Sequence, residues 1–417
     1  MKRTLPPKTV LWQWTLRAWF VAFLGTLTCM PLSLASAQEV TVQTLSGESI
    51  NGKLVSIADG QLAITAEAGA KQVAVDALVS IQFKSEKPAA TASSLVQATL
   101  LDGTSFYASK LTIDGDSTSA TSPVFGEVKF SRKQITNLRI APEVKTLNER
   151  WTELTGRENQ KDLLVIKKSD TDLDFAPGVV GDIDDANVKF LLGADELPIK
   201  RTRVYGLVFY RPDRPKNSPA AKVKLQAGDV LNVSAVSLKD GKFALKLLSG
   251  SDIELPATAV QSMDFSQGKI EYLSKLEPRD VAFTPFFDDD TERKLFQFRR
   301  DQTMDGLPLK LGGKAYKRGL WIHSRTKLTY RIGTDFSRFE ALMGIDENLE
   351  NVHLGHVHVV ISGDGKKLLE ADVAGKDKPV SVNLDVSGVR DLEILVDFGR
   401  NAGICDHLDL VDARVIK

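Results

Sequence analysis

Cysteine is nearly missing from this chain. There are two, Cys29 and Cys405, and Cys29 lies in a leader-like N-terminal stretch. One thiol in the remainder excludes a disulfide framework and leaves a redox role without a partner. An excess of either charge is missing too. Lys+Arg and Asp+Glu both number 54, so no basic surface is available to neutralise phosphates, and nonspecific nucleic-acid binding is excluded. Histidine is scarce: there are five, none before His323. The first three quarters therefore hold no imidazole for proton transfer, and no glycine-rich phosphate loop stands in for one. After Leu34 no apolar run is long enough to span a bilayer.

The N-terminus reads as a secretion signal covering residues 1–37. Met1-Lys2-Arg3, Lys8 and Arg17 give a positive start, and Ala18 to Leu34 is apolar, broken by Pro31. Ala35-Ser36-Ala37 is a small-residue cleavage pattern. The mature chain is expected to be exported, to a periplasmic, cell-envelope or extracellular location.

Next come repeated β units at 38–85, 95–141, 161–211 and 220–267. In the first, Val-Thr-Val alternation leads to a turn at Gly47, a strand around Leu54, an Asp59-Gly60 turn and a closing Ile81-Gln82-Phe83. The fourth repeats this with Gly228, Asp240-Gly241 and Met263-Asp264-Phe265, and the second has Asp102-Gly103 and Asp114-Gly115. The third is looser, with Asp184-Asp185 at the matching turn. Period-2 alternation with Asp-Gly turns is a hairpin signal, and self-similarity at this spacing marks an array of small barrel-like units. Between the second and third units lies a connector, 143–160. There Val144, Leu147, Trp151 and Leu154 fall at helical spacing, so one helix is expected from about Glu143 to Thr155.

Residues 270–417 hold every histidine and about eight strands separated by glycine or aspartate turns, which implies a β-sandwich. The fold class is therefore all-β: tandem small β-barrel-like units, one short helix, then a jelly-roll sandwich. Gly312-Gly313 and Gly319 bracket a short run that ends in Trp321 and His323.

This region resembles a known family. Tyr272-Leu273-Ser274, Gly313 with Tyr316, Arg318-Gly319-Leu320 with His323, Phe339, Gly344-Ile345-Asp346, Asp364-Gly365-Lys366, Val386-Ser387-Gly388 and Asp406-His407-Leu408-Asp409 occur in the order found in the NPCBM family. These are carbohydrate-binding modules attached to glycoside hydrolases. The resemblance implies a galactose-binding-like jelly roll, sugar binding at loops on one end, and often a structural calcium. Trp321-Ile322 stands where the family usually has small residues, and Leu410 where it usually has tryptophan.

A sugar site needs a flat apolar face and a few fixed polar groups. Trp321 is the candidate face, and His323, Arg325, Asp346, Asp406 and His407 are the candidate polar groups. The competing reading makes His323 and His407 structural. Asp346 and Glu347 are the candidate calcium ligands, with Asp288-Asp289-Asp290 a second oxygen-rich stretch. His356 and His358 share one strand face and, with His353, could hold zinc, against the plainer reading of a solvated face. Asp406 and Asp409 are the nearest approach to a glycosidase pair, but no catalytic core surrounds them. The expected partner is a glycan or polysaccharide bound without catalysis. The alternative is a cell-envelope scaffold whose sandwich and tandem units dock envelope proteins.

Overall fold

The structure is a computed structural model. It describes residues 38–84, 95–212, 218–287 and 290–417; the signal reading, and Asp288 with Asp289, lie outside them.

The chain is all-β, as the alternation implies. In the first unit, strand Glu39–Thr44 buries Val40 and Val42 and turns Thr41 and Gln43 outward. It pairs with Ser49–Ala58 and with Leu78–Phe83. Asp59 and Gly60 both take positive φ, at 51° and 72°. Two such residues close a tight hairpin whose twist matches the strands.

Every unit ends alike. A short 3-10 turn, at Val75–Ala77, Arg132–Gln134, Arg201–Arg203 or Ala257–Ala259, precedes the last strand. The fourth residue beyond the turn is Ile81, Leu138, Leu207 or Met263, and all four are buried. These matching residues face one another across units. Ile81 lies opposite Met263, and Leu138 opposite Leu207, in antiparallel ladders. A second contact repeats the pattern: Ile57 meets Leu238, and Ile113 meets Ile183. Units one and four, and units two and three, are thus joined about local twofold axes, as in an isologous interface. One continuous core runs through all four.

The helix spans Asn148–Gly156, shorter than the spacing predicts. Val144 is extended (φ −123°, ψ 115°), and Lys145–Leu147 forms a 3-10 turn, so helical hydrogen bonding begins late. Leu147, Trp151 and Leu154 pack on Leu163, Val165, Leu173 and Tyr205. A second, six-residue helix, Asp290–Leu295, buries no side chain, which is why no apolar spacing announced it.

The C-terminal region is a two-sheet sandwich. One sheet runs Arg299–Arg300, Gly319–His323, His407–Ile416, Arg338–Ile345, Val380–Asp385, with Ile270–Tyr272 also on His407–Ile416. The other runs Asp280–Phe283, Thr326–Arg331, Asp391–Phe398, His356–Gly363, Lys366–Ala374. Leu320, Ile322, Leu408 and Leu410 of the first pack with Leu328, Tyr330, Ile394 and Val396 of the second in one core. The base rests on unit one: Lys269 Nζ donates to the Val75 and Leu78 carbonyls at 3.2 Å each, and Arg338 donates to the Leu45 carbonyl. At the other end the segment 284–287 and the loops 324–325, 346–355 and 399–406 come together. Among the described residues no helix is long and apolar enough to cross a membrane.

Candidate functional site

Beneath those loops the first sheet carries a row of polar and aromatic side chains on the face away from the sandwich core. Strand alternation puts them there: Leu320 and Ile322 point into the core, so Trp321 and His323 point out. Trp321 sits opposite Asp409, and His323 opposite His407. This face is not open. The segment from Phe296 to Leu311 folds over it, with Phe296 stacked on His323 at 3.9 Å between ring centres and Leu309 and Leu311 against Trp321.

This overturns the assignment of Trp321 as a sugar platform. The indole is 0 % exposed, and a face that touches no solvent cannot stack on a ligand. The polar candidates divide in two. His323, His407, Asp346 and Asp406 are buried, while Arg325 is exposed and pairs with Asp397, Nε to Oδ1 3.4 Å.

The buried groups hold the loops together. Asp406 Oδ2 accepts from Ser324 Oγ at 2.7 Å, and Oδ1 accepts from the His356 N–H at 3.1 Å. Burial raises its pKa despite these bonds. His323 Nδ1 lies 2.5 Å from the Ser324 carbonyl, which can only accept, so this nitrogen carries the proton. Burial lowers both imidazoles to about 4, His407 with a further push from His323. Both rings are neutral at physiological pH. Asp409 accepts from the Lys310 N–H at 2.9 Å, but its Oδ1 has no partner. Burial first, then the nearby Asp346, raise it to about 8, so it keeps its own proton at neutral pH.

The calcium candidates are engaged in hydrogen bonds within the loops. Both Glu347 oxygens accept N–H groups of the Gly312-Gly313 turn, at 2.5 and 2.8 Å. Asp346 Oδ1 takes the Asn348 backbone and side-chain N–H groups. Among the described residues no group of three His, Cys, Asp or Glu side chains is arranged to hold an ion. The histidine strand is likewise committed. His356 Nδ1 accepts the Arg400 N–H, and His358 lies between Asp372 (2.8 Å) and Glu370 (3.3 Å), which raise its pKa, the Asp372 hydrogen bond most. Asp406 and Asp409, the glycosidase-like pair, are both fully buried.

What the loop end does expose is phenylalanine. Phe286 and Phe287 are 46 % and 66 % exposed. Their rings meet edge-on at 5.0 Å, and Phe286 braces edge-on against Phe398 at 5.3 Å. Phe398 follows Asp397 in the strand, and the Thr284 N–H donates to the Arg325 carbonyl, so the ridge and the ion pair share one rim. Ile404 adds a further exposed apolar surface on the 399–406 loop. Sequence reasoning missed this ridge. Its signal was Phe286-Phe287 within a polar, aspartate-rich stretch, where no partner strand is at hand to bury both rings.

The C-terminal sandwich thus has a buried polar row beneath its loops and an aromatic rim above. Residues 271–416 match the model of the NPCBM/NEW2 domain. Among curated proteins the chain is similar to "Putative endo-alpha-N-acetylgalactosaminidase" of Renibacterium salmoninarum, 31% identical over 100 residues. That match covers 23% of this chain and only 6% of the relative's length. Among solved structures, one similar chain is the CBM51 module of Clostridium perfringens GH95, in complex with methyl-galactose. It is 21% identical, with 35% of this chain and 99% of that one covered, at a TM-score of 0.31. Another holds the CBM51-2 module in complex with GlcNAc, and INT domains, from Clostridium perfringens ZmpB. It is 17% identical, with 46% and 42% covered, at 0.32.

Proposed function

We propose that this chain is an exported, non-catalytic protein that binds glycan at the loop end of its C-terminal sandwich. The observation that carries the reading is the exposed ridge of Phe286 and Phe287 beside the Arg325–Asp397 pair. A sugar ring offers a flat C–H face to an aromatic and hydroxyls to fixed polar groups. Arg325 supplies donors and Asp397 an acceptor, so together they serve a hydroxyl in either role. The NPCBM/NEW2 match over the same residues supports the reading. Neither Asp406 nor Asp409 reaches solvent, and a glycosidase acid must touch its substrate, so this pair is not a glycosidase pair. Export rests on the basic, apolar and small-residue pattern of residues 1–37.

A glycan array probed with the full chain tests this. Binding to a defined set of sugars, lost on the array when Phe287 is replaced by alanine, is expected. Signal no higher than background, with a folded protein, would sink the proposal.

A further inference from the structure

Units two and four meet differently from the pairs described above, and their joint has an unused counterpart. It is built on the first hairpin. In each, a positive-φ glycine (Gly103, Gly228) precedes a short polar residue (Thr104, Asp229), and the strand begins at the next position (Ser105, Val230). Ser105 and Val230 lie directly opposite one another. The flanking bonds are reciprocal. Asp229 Oδ1 accepts the Tyr107 N–H at 2.8 Å, and Thr104 Oγ1 accepts the Asn232 N–H at 3.0 Å. In both directions the residue after the glycine accepts the amide three positions further on in the other unit. Such a contact is self-complementary.

The other two units carry a hairpin at the same place, with the glycine kept in unit one and replaced by Thr171 in unit three. In unit three it is closed. Leu173, at the position of Ser105, is buried under the helix with Leu147 and Trp151, and the Phe175 N–H is taken by its own Asp174 at 2.9 Å. In unit one it is open. Gly47 has φ 84°, Glu48 stands where Thr104 and Asp229 stand, and Ser49 begins the strand. Glu48, Ser49 and Asn51 are all exposed. Asn51 pairs with Thr41 in the register that Asn232 keeps with Lys222, so its N–H faces outward as that of Asn232 does. The Glu48 carboxylate is engaged in a surface pair with Lys71, which exchanges readily with solvent. The sandwich reaches this turn at the Leu45 carbonyl, before the glycine.

We propose that this edge docks a second copy of the chain about a twofold axis. Glu48 of each copy accepts the Asn51 N–H of the other, and Ser49 faces Ser49. An exposed strand edge is a template for pairing, and the occupant is named by the joint the chain already makes with itself between units two and four. The contact is small, so the dimer is weak and forms at high local concentration. Paired chains would carry two loop ends, and a surface with repeated ligands would then be held by avidity. The dimer itself does not depend on the sugar reading.

The test uses the full chain with Cys29 and Cys405 replaced by serine. Ser49→Cys should form an intermolecular disulfide under mild oxidation at least about tenfold faster than Gln61→Cys, an exposed control on another turn, because only position 49 is held opposite itself. Sedimentation velocity over a concentration series should show a dimer that Glu48→Lys abolishes. Equal cross-linking rates for the two cysteines overturn the proposal. So does a dimer unaffected by Glu48→Lys, since that places the contact elsewhere.

Discussion

Ser324 Oγ donates to Asp406 Oδ2 at 2.7 Å, across 82 residues of sequence, while the other oxygen of that carboxylate takes the His356 N–H. One buried side chain thereby ties the 399–406 loop to the 324–325 loop and to the start of the His356–Gly363 strand, and the residue after Ser324 is the exposed Arg325. Asp406→Ala should lower stability by about 1–3 kcal/mol for each donor left unpaired. Asp406→Asn keeps an acceptor and should lose less. Thermal unfolding of the two variants checks the order; equal, small losses would mean that the loops are held by other contacts.

The buried row sets a pH optimum for stability. The imidazoles of His323 and His407 are held near 4 in the fold against 6.5 when free. Below pH 6.5 the unfolded chain takes up protons that the fold refuses, so stability falls as the pH drops toward 4. The slope is about 1.4 kcal/mol per pH unit for each histidine. Asp409 works in the other direction. Its folded pKa is about 8 against 3.8, so the fold keeps a proton that the unfolded chain has released, and stability falls as pH rises toward 8. Of these three groups, the two histidines outweigh the aspartate between 4 and 6.5, and above 6.5 the aspartate acts, joined by His358, whose raised pKa works in the same direction. The melting temperature should peak near pH 6.5. Asp409→Asn should flatten the alkaline limb and raise stability at pH 9, and an unchanged limb would remove Asp409 from the account.

Gly206 lies in the seam between units two and three, beneath the helix. A Cβ there would stand 2.4 Å from the Trp151 ring and 2.7 Å from the Leu138 carbonyl. Neither can retreat, since Trp151 is packed edge-on against Tyr205 and Leu138 is in the ladder. Gly206→Ala should therefore cost at least about 1–3 kcal/mol. At Gly193, where a Cβ meets nothing within 4 Å, the only cost of alanine is its positive φ of 67°, about 1 kcal/mol. Urea unfolding of the pair measures the difference, and equal midpoints would contradict the seam packing.

The all-β class was legible because alternation and Asp-Gly turns are local. Asp59-Gly60 and Asp240-Gly241 need positive φ, and few other residue pairs supply it. The seams were not legible. Ile81 faces Met263 and Leu138 faces Leu207, and nothing in a strand's own sequence names its partner in another unit. At the candidate site the residue types drew attention to the loop end of the sandwich, where Arg325 is exposed. Trp321 misled because its exposure depends on Phe296 and Leu309, which fold over it from a segment with weak periodicity. Phe286 and Phe287 went unnoticed because two adjacent phenylalanines look like core until the structure shows both exposed.

The most direct test of glycan binding at this rim is calorimetric titration of the full chain with a sugar found on the array. Phe287→Ala, Arg325→Ala and the buried control Trp321→Phe are compared under the same conditions. Loss of the exposed ring or of the guanidinium should weaken binding at least about tenfold, or 1.4 kcal/mol, with the melting temperature unchanged. Trp321→Phe should lower the melting temperature and leave the affinity intact. Full affinity in both rim variants, with binding lost only in Trp321→Phe, would contradict the account and return the site to the buried row.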